Sequence, residues 1–415
     1  MNKFIITRQH YVGDSYFTAL LDEKDKFREI AFHPLSEENQ VVPGIIYIAR
    51  VKKIAANLDA AFVDIVKGVT CYLETAHIKD AWFSKQCRSG KLTEGDELVV
   101  QITKEALKTK YPIADTKLSL AGKYFVLTNE NRPLAISSKL SADEKERLSS
   151  QVQLFEKEAV TDTKQNAGQE EKRKPHSLIV RTNAAGASPE ELETEYRKLL
   201  SDYQKLAATF HFRTCYSILM PPKKFYENAI NHLYQEELGE IITDDKIIYE
   251  ELQQLYAGNP DILSKIRFYE NDAISLGTLY SFETQIQRAI SERVWMKSGA
   301  YLIIQPTEAL TVIDVNSGKN TSGKNAEEYY YKINLEAAAE ISRQLRLRNI
   351  SGIVIVDFIN MAKEEQRKEL MHQFRLSLKE DPVPVRLVDI TKLGLVELTR
   401  KKERKTLLEQ VAQLR

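Results

Sequence analysis

The sequence predicts a multidomain α/β chain with a small β-barrel set into its N-terminal third. Three observations lead there. Short strand-forming runs crowd into residues 44–103 with turn residues between them, as in a small barrel. Residues 299–399 alternate strand and helix patterns, as a layered α/β unit requires. The chain has 415 residues, 43% apolar against 28% charged, enough for two or three packed domains and unlike a disordered or fibrous protein.

In order along the chain, residues 3–7, 15–22 and 27–32 read as short strands. They are too few for a core of their own and are expected to pair with a later segment. In the barrel, Ile46, Ile48 and Val51 mark one strand, 61–66 and 69–73 give two more, and 98–103 follows Gly95-Asp96. Residues 123–127 (KYFVL) are strand-like and 142–158 helical. The run TDTKQNAGQEEKRKP at 161–175 has almost no apolar content and reads as a solvated loop or insertion. Residues 178–181 form a strand that enters the small-residue loop NAAGAS. Ser188 as N-cap, Pro189 at N1 and Glu191 at N3 then open a helix, with Leu192, Tyr196, Leu199, Tyr203 and Leu206 at spacings of four and three. Helices are expected at 222–238, 248–256 and 282–293, with a strand and turn at 295–300. The C-terminal part supplies strands 301–304 and 310–315, a helix over 326–348, a near-continuous apolar strand 353–358 of the kind buried on both sides, a helix 363–378 and a strand 385–390.

Lys plus Arg and Asp plus Glu both number 59, so the formal charge is zero. That excludes a uniformly basic protein of the histone kind. It does not exclude nucleic acid, because a neutral total can hold one basic groove and a compensating acidic surface. Cys71, Cys87 and Cys215 are scattered and form no CxxC pair, which argues against a disulfide scaffold or a cysteine zinc site and for a reducing cytoplasm. The N-terminus lacks a long apolar stretch, and no run approaches 18 uncharged apolar residues, so neither secretion nor a membrane segment is expected.

Asp314 and Asp357 are the residues that most need explaining, since each falls inside an otherwise apolar strand, where an unpaired carboxylate is costly or titrates neutral. An arginine partner or a helix cap would account for either one alone. Two at the ends of strands in one sheet are better explained as ligands to a shared divalent cation, and oxygen-only ligands favour Mg2+, with Mn2+ as the alternative. Asn316, two residues beyond Asp314, can point the same way and hold the carboxylate or an attacking water. Lys319, Lys324, Arg346 and Arg348 would guide a phosphodiester backbone, although Arg346 and Arg348 cannot both face it from a regular helix.

Two further sets of residues have a plain reading and a functional one. Phe62 and Tyr72 are either barrel-core aromatics or a stacking platform for unpaired bases, with Lys52, Lys53, Lys67, Lys104, Lys108 and Lys110 available for phosphates. The strand-loop-helix junction at Arg181-Thr182 is either an ordinary turn or an anion pocket.

Longer strings add a resemblance. IIQPTEALTVIDVNSGKNT, NLEAAAEISRQLRLRNISGIVIVDFINM and ITKLGLVELTRKKERKTLLE resemble the catalytic domain of the ribonuclease E/G family. AAFVD is similar to the family's S1 domain, SLAGKYFVL to the segment that leaves it, and LIVRT to its 5'-phosphate sensor. The resemblance implies an RNase H-like domain (1–38 and 211–280) with an inserted S1-like barrel (39–120), a 5'-sensor region (121–210), a DNase I-like catalytic domain (281–400) and a basic tail (401–415). It implies an endoribonuclease that hydrolyses single-stranded, AU-rich RNA in rRNA or mRNA processing or decay, with Asp314 and Asp357 as magnesium ligands and Asn316 orienting the first. It also implies Arg181 and Thr182 on the 5'-monophosphate with Val126 beside it, and Phe62 and Tyr72 on RNA, tyrosine standing at 72 where phenylalanine is usual, with Lys110 taken from the barrel lysines as a further RNA contact.

The chain departs from the family pattern in three places. KEALKTKYPIADTK replaces a glycine-rich stretch, residues 161–174 are an insertion, and the zinc-linking CxxC does not occur. No structural zinc and no scaffolding tail are therefore expected, and any homodimer would form without a zinc link. The competing reading is a non-catalytic RNA-binding or ribosome-assembly factor of the same fold, which gives no reason for Asp314 and Asp357.

Overall fold

The computed structural model describes residues 1–35, 41–87, 91–106, 110–166, 175–233, 238–271, 273–318 and 326–414. Contacts divide the chain into two compact units, residues 1–37 with 232–415, and residues 38–231.

The first unit holds two sheets. One has five strands in the order Ile266–Phe268, Leu238–Thr243, Asn2–Gln9, Ser15–Leu21 and Phe27–Pro34. The N-terminal strands thus do pair with a later segment: Asn2–Gln9 runs parallel to Leu238–Thr243. The expected helix at 222–238 is shorter, Phe225–Leu233, and its last expected residue opens that parallel strand. Phe17, Phe27, Phe282 and Ile286 fill the core beneath the sheet, joined by Leu407 and Val411. Residues 401–415, expected as a basic tail, therefore include a docked helix, Leu407–Leu414, because its apolar residues recur on one face. Gln410 accepts the Phe32 N–H at 2.9 Å.

The other sheet has six strands: Arg293–Trp295, Tyr301–Pro306, Leu310–Asn316, Gly352–Asp357, Val396–Arg400 and Val385–Ile390. Helices Ala326–Leu347 and Glu364–Leu378 supply Ala337, Ile341, Leu345 and Phe374 to the core against Leu302, Ile313, Val354 and Val356. The opposite face is open, with Ile353 49% exposed. The Gly352–Asp357 strand is consequently buried on one side only, and the two-sided burial expected from its apolar run is corrected.

The second unit contains a closed five-stranded barrel. Ile46–Ala55, Ala60–Val66, Val69–Glu74, Ile113–Asp115 and Glu97–Lys104 follow one another around it, and Ile46–Ala55 pairs again with Glu97–Lys104. Alternation sends Ala61, Val63, Ile65, Cys71 and Leu73 inward. Beside the barrel, a four-stranded sheet packs on helix Pro189–Thr209, whose N-terminus is the expected capping box of Ser188 and Glu191. Helix Ala142–Asn166 runs eight residues beyond its expected end, since nothing before Gly168 breaks it. Residues 211–231 belong with this second unit rather than with the segment to 280, and Ile218–Met220 pairs with the barrel strand Ile46–Ala55.

Candidate functional site

Register brings the two aspartates together. Leu310–Asn316 and Gly352–Asp357 are adjacent parallel strands in which Asp314 lies directly beside Asp357. Neighbouring strands stand about 4.8 Å apart, so the two side chains leave the sheet side by side. Thr311, Ile313 and Val315 point into the core, which turns Asp314 and Asn316 to the open face, and Val354 and Val356 do the same for Asp357. Asn316 Nδ2 donates to Asp314 Oδ2 at 2.8 Å. Two residues past the end of the strand, Gly318 has φ of +71°, and a Cβ there would lie 2.7 Å from the Gly299 carbonyl oxygen. Only glycine fits that approach in the turn that follows the strand.

Both carboxylates are exposed. The burial cost that marks them in the sequence is therefore absent, and it is shared direction and register that set them apart. Among the described residues no group of three or more His, Cys, Asp and Glu side chains could hold a metal ion. A pair of carboxylates still fits a hard cation such as Mg2+, which keeps several waters and uses one or two carboxylates together with substrate phosphates.

Arg346 and Arg348 occupy the interior. Arg346 is 7% exposed and its Nε is 2.6 Å from Glu29 Oε1. Arg348 is 3% exposed, its Nε donates to Gln344 Oε1 and its Nη1 donates to the Ser291 carbonyl at 2.7 Å. Burial, with Arg343 nearby, pushes the Arg348 guanidinium down to about 10. Their expected role as guides for an RNA backbone is corrected: both tie the long helix to its surroundings. Lys319 and Lys324 lie outside the described residues, as do Lys108 and residues 167–174 of the polar insertion.

On the barrel, alternation places Phe62 and Tyr72 on the outer face, half-buried and directly opposite one another. Their ring centroids are 6.0 Å apart. Exposed Lys53 faces Phe62 from the next strand. Tyr111, 54% exposed, packs edge-on against Phe62 at 5.4 Å, next to exposed Lys110. The row thus presents three aromatic rings flanked by lysines. Tyr111 is a member of the row that strand alternation does not reveal, and its signal in the sequence is an aromatic beside a lysine in a polar loop.

At the strand-loop-helix junction, Arg181 Nη1 donates to the Gly122 carbonyl at 2.6 Å and Thr182 Oγ1 lies 2.9 Å from Ser137 Oγ. Thr182 is exposed, and Arg181 and Val126 are half-buried. Glu195 organises the turn that Arg181 grips: its carboxylate accepts the Lys123, Tyr124 and Phe125 N–H groups at 2.7–2.9 Å. A Cβ on Gly122 would lie 2.2 Å from Glu195 Oε1, so a side chain there would push the carboxylate off its N–H donors. No local pattern announces Glu195, since it is some 70 residues from the turn it holds.

Residues 119–403 match the model of the ribonuclease E/G family. The chain belongs to the ribonuclease E/G family. Ribonuclease E of Haemophilus influenzae is 32% identical over 368 residues, 86% of this chain and 37% of that protein. Ribonuclease E of Escherichia coli K12 is 32% identical over 367 residues, 86% of this chain and 33% of that protein. Ribonuclease G of Salmonella typhimurium is 29% identical over 389 residues, 90% of this chain and 76% of that protein. The chain thus spans about a third of the length of the ribonuclease E relatives. Asp314, Asn316, Asp357, Arg181, Thr182 and Val126 all fall within the family match, and the barrel aromatics precede it. Among the described residues no helix of this family member is long and apolar enough to cross a membrane.

Proposed function

We propose that this chain is a metal-dependent endoribonuclease that hydrolyses phosphodiesters of single-stranded RNA and favours 5'-monophosphorylated substrates, acting in rRNA or mRNA processing or decay. The observation that carries the reading is the side-by-side pair Asp314 and Asp357 on an open sheet face, with Asn316 bonded to the first. In this reading the five-stranded sheet is the RNase H-like part, the barrel is the inserted S1-like domain and the six-stranded sheet is the DNase I-like part. Asp314 and Asp357 hold Mg2+ or Mn2+, and Asn316 fixes the rotamer of Asp314. A divalent ion there supplies charge stabilisation to the phosphodiester oxygens and a more acidic bound water. Cleavage of a fluorescent single-stranded RNA with Mg2+, lost in EDTA and restored by Mg2+, tests the reading. RNA binding with no cleavage under any divalent ion would leave an RNA-binding or assembly factor instead.

The barrel row is the contact for unpaired bases. Alanine at Phe62, Tyr72 or Tyr111 should weaken binding of a single-stranded RNA roughly 5- to 100-fold, the range for loss of one base-aromatic stack. Lys53 and Lys110 should contribute a salt-dependent share. Unchanged affinity in a folded Phe62→Ala/Tyr72→Ala double variant would remove the platform.

The junction at Arg181 reads the 5' end. A terminal monophosphate carries close to two charges and suits a guanidinium plus a hydroxyl, whereas a 5'-hydroxyl offers no such partner. Charge-assisted bonds contribute about 1.5–3 kcal/mol, so Arg181→Ala should reduce cleavage of 5'-monophosphorylated RNA roughly tenfold or more and leave 5'-hydroxyl RNA nearly unchanged. Thr182→Val should act in the same direction with less effect, without disturbing the Gly122 turn. Equal cleavage of the two substrates by the wild type would show that no 5'-end recognition operates.

A further inference from the structure

The open face of the six-stranded sheet carries an aromatic cluster in line with the aspartates. Arg293–Trp295 is the edge strand, paired antiparallel with Tyr301–Pro306 so that Trp295 lies opposite Tyr301 and Arg293 opposite Ile303. Val294 between them points into the core, which turns Arg293 and Trp295 to the open side. The register continues from Tyr301 to Asn316 and from Ile303 to Asp314, and Asp314 lies beside Asp357. Two rows result, Trp295–Tyr301–Asn316 and Arg293–Ile303–Asp314–Asp357. Trp295 is 63% exposed. Its ring is 5.1 Å from that of Tyr301, and the Arg293 guanidinium lies 4.6 Å from the Tyr301 ring and 5.6 Å from the Trp295 ring.

We propose that Trp295, braced by Tyr301 and Arg293, is the seat for one unpaired base of the RNA strand whose phosphodiester lies at Asp314 and Asp357. The inference rests on the endoribonuclease reading and adds a specificity determinant to it. An exposed indole offers a flat π-face, and stacking on it tolerates any base. Arg293 braces the rings from one side and brings a positive charge to the strand that the base belongs to. Trp295 stands two strands from Asn316, roughly 10 Å, a distance that about three stacked nucleotides cover at about 3.4 Å each. A base held there fixes which phosphodiester reaches the aspartates, so the cluster sets the cleavage register along the strand.

The sequence contains two tryptophans, and the other, Trp82, is buried at 4% exposure. Trp295 therefore reports its own contacts by fluorescence. The full chain carrying Asp314→Asn is titrated in EDTA with a 12-nucleotide single-stranded RNA and with a set of the same RNA bearing one abasic site at each position. Saturable quenching is expected, absent in Trp295→Leu. One abasic position, at a fixed offset from the bond that the wild type cleaves, should weaken binding, read for both proteins by the anisotropy of end-labelled RNA, roughly 5- to 100-fold in the protein with Trp295 and leave Trp295→Leu unaffected. Trp295→Phe, which keeps a ring, should retain most of the affinity and separates stacking from any folding defect of the leucine variant. Unchanged RNA affinity and unchanged cut positions in Trp295→Leu would overturn the proposal. So would a protein dimer, seen by sedimentation, that Trp295→Leu dissolves while RNA affinity persists, since the patch would then serve a second copy. Wild-type cleavage without a Trp295 response defeats this inference alone; a positional response with no cleavage by the wild type defeats the endoribonuclease reading and leaves the base seat standing.

Discussion

Asp314→Asn and Asp357→Asn are each expected to lower the rate of single-stranded RNA cleavage by roughly 10²–10⁴-fold, about 3–5 kcal/mol of transition-state stabilisation. The substitution is nearly isosteric, and both side chains are exposed, so folding should change little. In the proposed reading, what is lost is one of two charged oxygen ligands. The Mg2+ concentration needed for half-maximal rate should rise with either variant, whereas RNA affinity measured in EDTA should stay within a few-fold. Asn316→Ala should act through Asp314 alone. Its Nδ2 holds one carboxylate oxygen at 2.8 Å, and loss of such an orienting bond typically costs about 10- to 100-fold. A folded Asp314→Asn protein that cleaves within threefold of the wild type would remove these residues from the reaction.

The shared face of Asp314 and Asn316 was legible in the sequence because i and i+2 share a face whatever surrounds them, whereas the place of Asp357 beside them depends on strand pairing. Their environment was not. The run GIVIVD reads as a two-sided strand because the open face of the sheet is itself partly apolar, carrying Ile353 and Ile355 as well as Asp357. No composition rule separates such a face from a core, and only the placement of both helices on the other side decides it. Arg346 and Arg348 show the same limit from the polar side. An arginine-rich helix end looks like a phosphate guide until its partners are known, and Glu29 lies 317 positions away. The barrel was legible from its longer strands, but closure depends on Ile113–Asp115, three residues too few to show a period. Local signals did better where the physics is local: Ser188, Pro189 and Glu191 form the expected cap because all three residues lie within one turn.

The largest stability effect is expected at Arg400, which joins the strand beside Asp357 to two other elements. Arg400 is 3% exposed, and its guanidinium donates to both Asp381 oxygens at 2.8 and 3.1 Å and to Asn349 Oδ1 at 2.7 Å. Asn349 has φ of 48° and bonds the Arg404 and Lys405 carbonyls through Nδ2, so the network also anchors the approach to the C-terminal helix. Removing one member of such a buried pair leaves the other charge without compensation, and the usual loss is about 3–5 kcal/mol. Asp381→Ala and Arg400→Ala should therefore each lower the urea midpoint strongly at nearly constant m-value. The double variant Asp381→Leu/Arg400→Met should recover much of that loss, because no unpaired charge remains and the methionine stem still fills the space. Arg400 lies opposite Gly352, at the start of the strand that ends in Asp357. The double variant should for that reason regain stability more fully than cleavage rate, since the apolar pair no longer fixes the depth of that strand through directed bonds. If both single variants lose less than about 1 kcal/mol, an exposed pair's usual contribution, water must reach the Asp381 carboxylate and the network is not the fastener that its geometry indicates.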